Sequence, residues 1–161
     1  MVTFRAVSPV APEAVAILSE YFTMRAETFP GHAYSPVFPG ADAFRDPDGV
    51  LLLAVDEHDG ESEIAGCGAI RRLPDGDAGV RFEVKHLFVR PFTRGRGTGR
   101  ALLEELERRA RVFGATELVL DTHHTLEAAG ALYARNGFTS VEPYNDNPNA
   151  TVWLHKELTT S

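Results

Sequence analysis

The sequence predicts a single mixed α/β domain, residues 1–161, built from about seven strands and about four helices. Three observations carry that reading. Seven short runs rich in β-branched and apolar residues are interspersed with runs whose apolar residues recur every third or fourth position. The 161 residues, 43% of them hydrophobic, suffice for one core and are too few for two domains of ordinary size. No repeat, low-complexity tract or linker-like stretch divides the chain.

Residues 3–7 alternate in strand formers and make the first strand. After Pro9 and Pro12, the spacing of Ala14, Ile17, Leu18, Tyr21 and Phe22 is helical, and proline is pre-organised for a first helical turn. Residues 28–49 hold Pro30, Gly31, Pro36, Pro39, Gly40, Pro47 and Gly49, which makes a long loop with room for one short helix over 41–44. Loops of that length inside a domain are commonly functional. Residues 50–56 and 64–71 are strands around a His58-Asp59-Gly60-Glu61 turn, with Gly66 and Gly68 thinning one face of the second. A turn at Pro74-Asp75-Gly76-Asp77 leads into a strand over 80–89, where regular alternation puts Val80, Phe82, Val84, His86 and Phe88 on one face.

A glycine-rich loop then precedes a helix over 98–113, with Leu102, Leu103, Leu106, Ala110 and Phe113 as its apolar stripe and Gly114 closing it. Residues 117–121 form a short buried strand. Thr125 is placed to cap a helix over 126–136, which Gly137 ends. Residues 138–141 and 150–155 are closing strands.

Charge and cysteine usage exclude several classes. With 23 acidic and 16 basic side chains the net charge is −7, which argues against a general nucleic-acid binder. The lone Cys67 rules out an intramolecular disulfide framework and a Cys-based zinc site. Flanked by two glycines in a strand, it reads as a small core residue and not a nucleophile. The start lacks an apolar signal region and residues 51–55 are too short to span a bilayer, so the expectation is a cytoplasmic protein without a membrane partner. The charge is also segregated. Residues 84–103 contain Lys85, Arg90, Arg94, Arg96 and Arg100 and no acid, a local +5 that leaves −12 for the remainder. That division predicts a polyanion held at one place and something cationic elsewhere, where an acidic rim would favour an amine.

The +5 stretch runs from a strand through Arg94-Gly95-Arg96-Gly97-Thr98-Gly99-Arg100 into a helix. Glycines allow a tight turn and close approach of bare N–H groups, and the start of a helix binds anions. The flanking arginines favour a pyrophosphate. A P-loop is excluded because no lysine follows the glycines. The dinucleotide fingerprint Gly-x-Gly-x-x-Gly is not met either, although Asp121, 22 residues after Gly99 at a strand end, sits where a ribose-binding acid would. A dinucleotide-binding protein therefore stays as an alternative.

Arg94-x-x-Gly97-x-Gly99 resembles the Arg/Gln-x-x-Gly-x-Gly/Ala signature of the GNAT family of N-acetyltransferases. The likeness extends upstream to Glu83-Val-Lys-x-Leu-Phe-Val, and downstream to the segment from Leu126 through Leu-Tyr133-Ala-Arg-Asn-Gly137-Phe138. The resemblance implies a central, mostly antiparallel twisted sheet with a splayed strand pair that forms an acetyl-CoA cleft. It implies that acetyl-CoA is a cosubstrate, with its pyrophosphate on the N–H groups of Gly95, Arg96, Gly97, Thr98, Gly99 and Arg100 beside Arg94. The pantetheine arm would pair like a strand with the backbone of Leu87, Phe88 and Val89, and an N–H near Val89 would hold the oxyanion. Tyr133 would be the general acid toward the leaving thiolate. Glu83 is the first candidate base and His86 the second. Regular alternation points these two to opposite faces unless a bulge intervenes.

The family also implies that the loops at 27–38, with His32, Tyr34 and Ser35, and at 144–149 shape the acceptor site. Tyr34, His123, Tyr144 and Asn145 are the acceptor-binding candidates, and the acidic balance favours an amine of a small molecule or amino acid. Pairing of two copies through the last strands is a further implication of the resemblance. No metal is expected, since His123 and His124 lack a third ligand and the 145–149 segment lacks the glycine and glutamate of a calcium loop. Asn149-Ala150-Thr151 is a formal glycosylation sequon that a cytoplasmic chain leaves unused. A non-catalytic acyl-CoA-binding module is the second alternative.

Overall fold

The computed structural model describes residues 1–31, 34 and 36–158. The loop residues His32 and Ser35 lie outside the described residues. Strand β1 (Val2–Ala6) leads to helix α1 (Pro12–Thr28), and then to strands β2 (Gly49–His58), β3 (Glu61–Arg72) and β4 (Arg81–Val89). Helix α2 (Thr98–Val112), strand β5 (Glu117–Thr122), helix α3 (Glu127–Arg135) and strands β6 (Thr139–Ser140) and β7 (Val152–Glu157) complete the chain. A short 3-10 turn over Pro91–Thr93 joins β4 to α2.

The strands form one sheet in the order β1-β2-β3-β4-β5-β7-β6. All neighbours are antiparallel except β4 and β5. The mixed α/β class and the seven strands agree with the sequence. The described α-helices number three, because residues 41–44 form turns. Ala43 N–H closes a single turn on the Gly40 carbonyl, and Phe44 adopts φ +57°, which stops a helix from continuing. Thr125 does not cap α3. Its hydroxyl pairs with His123 Nδ1 at 2.7 Å, and the helix starts without a side-chain cap.

Both faces of the sheet are buried, which is why residues 51–55 read as a continuous apolar run. Leu51 and Leu53 pack toward α1 with Ile17, Leu18, Phe22 and Ala69. Val50 and Leu52 point the other way, to Leu103, Leu106 and Ala110 of α2. Helix α2 lies close on β3 because Gly66 and Gly68 present no side chain there. A Cβ on Gly66 would meet the Phe88 carbonyl oxygen at 2.5 Å and Leu102 Cδ1 at 3.2 Å, and one on Gly68 would meet Leu106 Cδ1 at 2.8 Å. Full burial of Leu102 and Leu106 under that contact contributes about 1.5–3 kcal/mol each.

Strand β4 departs from regular alternation. Cys67 pairs with Phe88 and Ala69 with Lys85, so Gly68 stands opposite both His86 and Leu87, and His86 takes φ +55°. This bulge overturns the single-face expectation for residues 80–88. Phe82 and Val84 face α2, whereas His86 and Phe88 face α1. Glu83 and His86, expected on opposite faces, therefore share the α1 side. Strand β4 pairs with β5 only at Arg81–Glu117, Phe82–Leu118 and Glu83–Val119, and the two strands then separate.

Gly66→Ala is expected to lower stability by about 1–3 kcal/mol, read as a Tm drop of several degrees in a thermal melt. Gly40→Ala, where a Cβ meets open space, serves as the neutral control. An unchanged Tm in Gly66→Ala would show that the Phe88 carbonyl of β4 and Leu102 of α2 do not approach β3 this closely.

Candidate active site

The separation of β4 from β5 opens a cleft of about 1570 Å³ that runs from α1 and the 34–48 loop, across β4, to the start of α2 and the inner side of α3. Beyond Glu83 the edge of β4 that faces β5 has no strand partner, and residues 84–89 line the opening.

At one end lies the glycine loop. Gly95 and Gly97 adopt φ +83° and +78°, which only glycine takes without strain. The first helical amide to reach a carbonyl is Ala101, bonded to Gly97 at 3.0 Å, so the amides of Gly97, Thr98, Gly99 and Arg100 precede the helical ladder. Thr98 Oγ1 is buried and unbonded among the described residues. The expected three-arginine cluster is not assembled. Arg94 lines the cleft, but Arg96 pairs with the buried Asp56 at 3.1 Å and Arg100 with Glu104 at 2.8 Å. Arg90 is held by Glu20 and the Ile64 carbonyl. The groups left at this end of the cleft are the backbone amides, the Thr98 hydroxyl and Arg94.

Tyr133 projects from α3 into the cleft, is 6% exposed and packs edge-on against Phe138. Its hydroxyl has no hydrogen-bond partner among the described residues. Burial, and then the charge of Asp121, push its phenol above the ordinary value, so it stays a proton donor.

Glu83 is placed behind the cleft wall, 1% exposed. Arg71 Nε donates to one oxygen at 2.8 Å and the Tyr144 hydroxyl to the other at 2.6 Å, with Lys85 Nζ at 3.8 Å. Tyr144 thus bonds Glu83 and does not line the opening, and burial followed by that carboxylate raise its phenol well above the ordinary value. His86 is wedged among Tyr21, Phe22 and Phe44 at ring distances of 5.7, 5.4 and 5.9 Å. Burial, then the charges of Lys85 and Arg71, push it down to about 3. It is neutral at physiological pH and a poor base. Cys67 is buried and its thiol is pushed up to about 12, which suits a core residue.

Asn145 faces the cleft as expected, but its side chain is spent on structure. Its Nδ2 donates to Asp121 at 2.7 Å, and its Oδ1 accepts from Trp153 Nε1 at 2.9 Å and the Asn147 amide at 3.2 Å. Asn147 Nδ2 reaches the other Asp121 oxygen at 3.2 Å, and Asn147 Oδ1 accepts the Asn149 amide at 3.0 Å. The asparagines are a ladder of side-chain turns that carries Asp121 at the cleft wall. Tyr34 lines the cleft between Phe22, Phe29 and Arg25. His123 does not line it. Its ring stacks on His124 at 4.5 Å and faces a smaller cavity beside α3. Burial, His124 and Arg25 all lower its pKa.

Two cleft residues, Arg25 and Arg71, had no part in the expectations. Arg25 carried a legible signal, a charge on the apolar stripe of α1, four residues after Tyr21. The predicted acidic rim is not found, since basic side chains outnumber acidic ones along the opening. Among the described residues no group of three or more His, Cys, Asp or Glu could hold a metal, and no helix is long and apolar enough to cross a membrane.

The fold as a whole is shared with solved acyltransferases. A Klebsiella pneumoniae chain named as an acyl-CoA N-acyltransferase superposes with a TM-score of 0.74 at 26% identity, over 99% of both chains. An acetyltransferase from Streptococcus agalactiae gives 0.75 at 20% identity over 98% of each chain, a likeness of fold. The sequence model of the acetyltransferase (GNAT) family matches residues 12–138, and the chain belongs to that family of acyltransferases. It is 40% identical over 106 residues, 66% of its length, to an uncharacterized N-acetyltransferase of Schizosaccharomyces pombe. It is 38% identical over 98 residues, 59% of its length, to an IAA acetyltransferase of Azospirillum brasilense. The match spans 61% of the length of each of these two relatives.

His86, half-buried at the cleft wall and held neutral, makes stability pH-dependent. Its folded pKa of about 3 lies below the unfolded value near 6.5, so between those values the unfolded state binds more protons. The contribution is complete above about 6.5 and is lost as pH falls toward about 3, at up to about 1.4 kcal/mol per pH unit. His86→Asn keeps a residue that tolerates the left-handed backbone and removes the titration. Urea denaturation at pH 7 and 5 is expected to show a smaller pH loss in the variant. Equal losses would contradict a neutral imidazole there.

Proposed function

We propose that the protein is an acetyl-CoA-dependent N-acetyltransferase, acting on a primary amine of a small molecule or amino acid by direct attack in a ternary complex. One observation carries the reading: the unpaired edge of β4 leads into the glycine loop, and Tyr133 stands across the same opening. The glycine amides and the orphaned Thr98 hydroxyl fit a pyrophosphate, with Arg94 beside it. The edge of β4 over Leu87, Phe88 and Val89 that faces away from β3 fits an amide-bearing arm laid down as an added strand.

In this mechanism the amine nitrogen attacks the thioester carbonyl carbon, and an N–H near Val89 stabilises the developing oxyanion. The C–S bond then breaks as the Tyr133 hydroxyl gives its proton to the departing sulfur. The attacking nitrogen loses a proton, and Glu83 is the acceptor we assign. Both its oxygens are engaged behind the cleft wall, so in this assignment the proton reaches it through water.

Thiol release from acetyl-CoA across a panel of amines tests the function. CoA binding by calorimetry without release would favour a binding module, and NAD binding in place of CoA would favour the dinucleotide alternative. Tyr133→Phe is expected to lower kcat about 100-fold while the KM for acetyl-CoA stays within about threefold. Unchanged turnover would remove Tyr133 from the mechanism. In Glu83→Gln the acidic limb of the pH–rate profile is expected to disappear. A retained limb would restrict Glu83 to positioning Arg71 and Tyr144.

A further inference from the structure

We propose that Arg25 selects the acceptor by pairing with a carboxylate on it, so that the amine acetylated is that of an amino acid. The proposal rests on the N-acetyltransferase reading and names the substrate class of the same cleft. Arg25 is in the last turn of α1, lines the cleft and is only 5% exposed. Its NH2 donates to the Asn149 carbonyl at 3.1 Å, while NH1 is buried without a partner among the described residues. No carboxylate of the described residues pairs with it. The ring of Tyr34 lies 5.1 Å from the guanidinium carbon and that of Phe29 lies 6.0 Å away. Those aromatic faces stabilise the cation and hold its plane. The Tyr34 phenol also feels Arg25 through a side-chain hydrogen bond that lowers its pKa, so of the guanidinium donors it is NH1 that stays without a partner among the described residues.

A buried guanidinium costs several kcal/mol unless its donors are met. Its planar fork matches a carboxylate, and a protein anion that could fill it is missing from the described wall. Asp121 supplies the complementary charge. It lines the same cleft and accepts one hydrogen bond on each oxygen from Asn145 and Asn147, so lone pairs remain on each. Arg25 and Asp121 form no ion pair with each other, yet the phenols of Tyr34 and Tyr133 sense both, Arg25 lowering and Asp121 raising their pKa. Opposite charges thus converge on Tyr133, the proposed proton donor. A zwitterion laid between them puts its carboxylate on Arg25 and its amine toward Asp121, beside the reacting end of the cleft.

The test pairs free amino acids with their carboxamides and with the corresponding decarboxylated amines, as acceptors in the thiol-release assay. The N-acetyl amino acids and N-acetyl carboxamides are also titrated into the CoA complex by calorimetry. Wild type is expected to prefer the carboxylate member by about 10- to 100-fold in kcat/KM and in product affinity. Arg25→Gln is expected to bring the ratio to within about threefold of unity, and Arg25→Lys, which keeps the charge and loses the fork, to leave an intermediate ratio. CoA binding reports that each variant is folded. Should Arg25→Gln fail that control, Arg25→Lys decides. Latching of the Asn149 loop alone predicts losses equal for carboxylate and carboxamide, and that result overturns the proposal. So does a carboxylate preference undiminished in the variants, or wild type acting on amines without a carboxylate and not on amino acids, which leaves the N-acetyltransferase reading standing. No thiol release with any amine removes that reading, and the proposal with it.

Discussion

The functional half of the molecule depends on where the pairing of β4 with β5 stops. Three residue pairs hold the strands together, and the bulge at His86 then turns β4 away. Its left-handed backbone costs roughly 1–2 kcal/mol for a residue with a side chain. The ring contacts of His86 with Tyr21, Phe22 and Phe44 offset that cost, and Gly68 opposite leaves room for the extra residue. Once the strands part, a backbone edge is left without a partner. Helix α2 brings its N-terminus to the same gap because glycines at 66 and 68 let it lie against β3. Helix α3 supplies Tyr133 from the opposite wall.

Charge is used locally. Most of the cationic stretch over 84–103 is neutralised within a few ångströms: Arg90 by Glu20, Arg96 by Asp56 and Arg100 by Glu104. The arginines of α2 likewise bind glutamates of their own helix. Arg100–Glu104 is exposed on both sides and contributes about 0–1 kcal/mol, whereas the other pairs have at least one partly or fully buried partner. Cleft-lining groups outside these pairs include Arg94, Arg135 and the helix-start amides, and Arg25 with Asp121. A net charge of −7 says little about such a cleft, whose lining is richer in basic side chains than the whole chain.

Much of this was legible in the sequence, for physical reasons. Proline at the start of α1, glycines after α2 and α3, and the Asp59-Gly60 turn punctuate elements whose periods are clean. The glycines at 95 and 97 mark a left-handed turn into α2 that other residues would strain to make, which is why the loop is legible in the sequence. The His86 bulge was not legible, since inserting one residue leaves no mark in composition and reverses the facing of everything after it. Which arginines are free is also hidden, because Asp56 meets Arg96 from a strand 40 positions earlier. The segment over 144–149 is an acceptor-loop candidate in the sequence, and the side chains of Asn145 and Asn147 prove to brace the loop and Asp121.

The central claim is that the gap between β4 and β5, together with the start of α2, receives CoA. Amide hydrogen exchange of the full chain with and without CoA tests it most directly. Protection rising at residues 87–89 and 95–100 is the predicted result, with β1 and β2 unchanged as internal references. CoA binding that leaves both segments unprotected and slows exchange elsewhere would contradict the account.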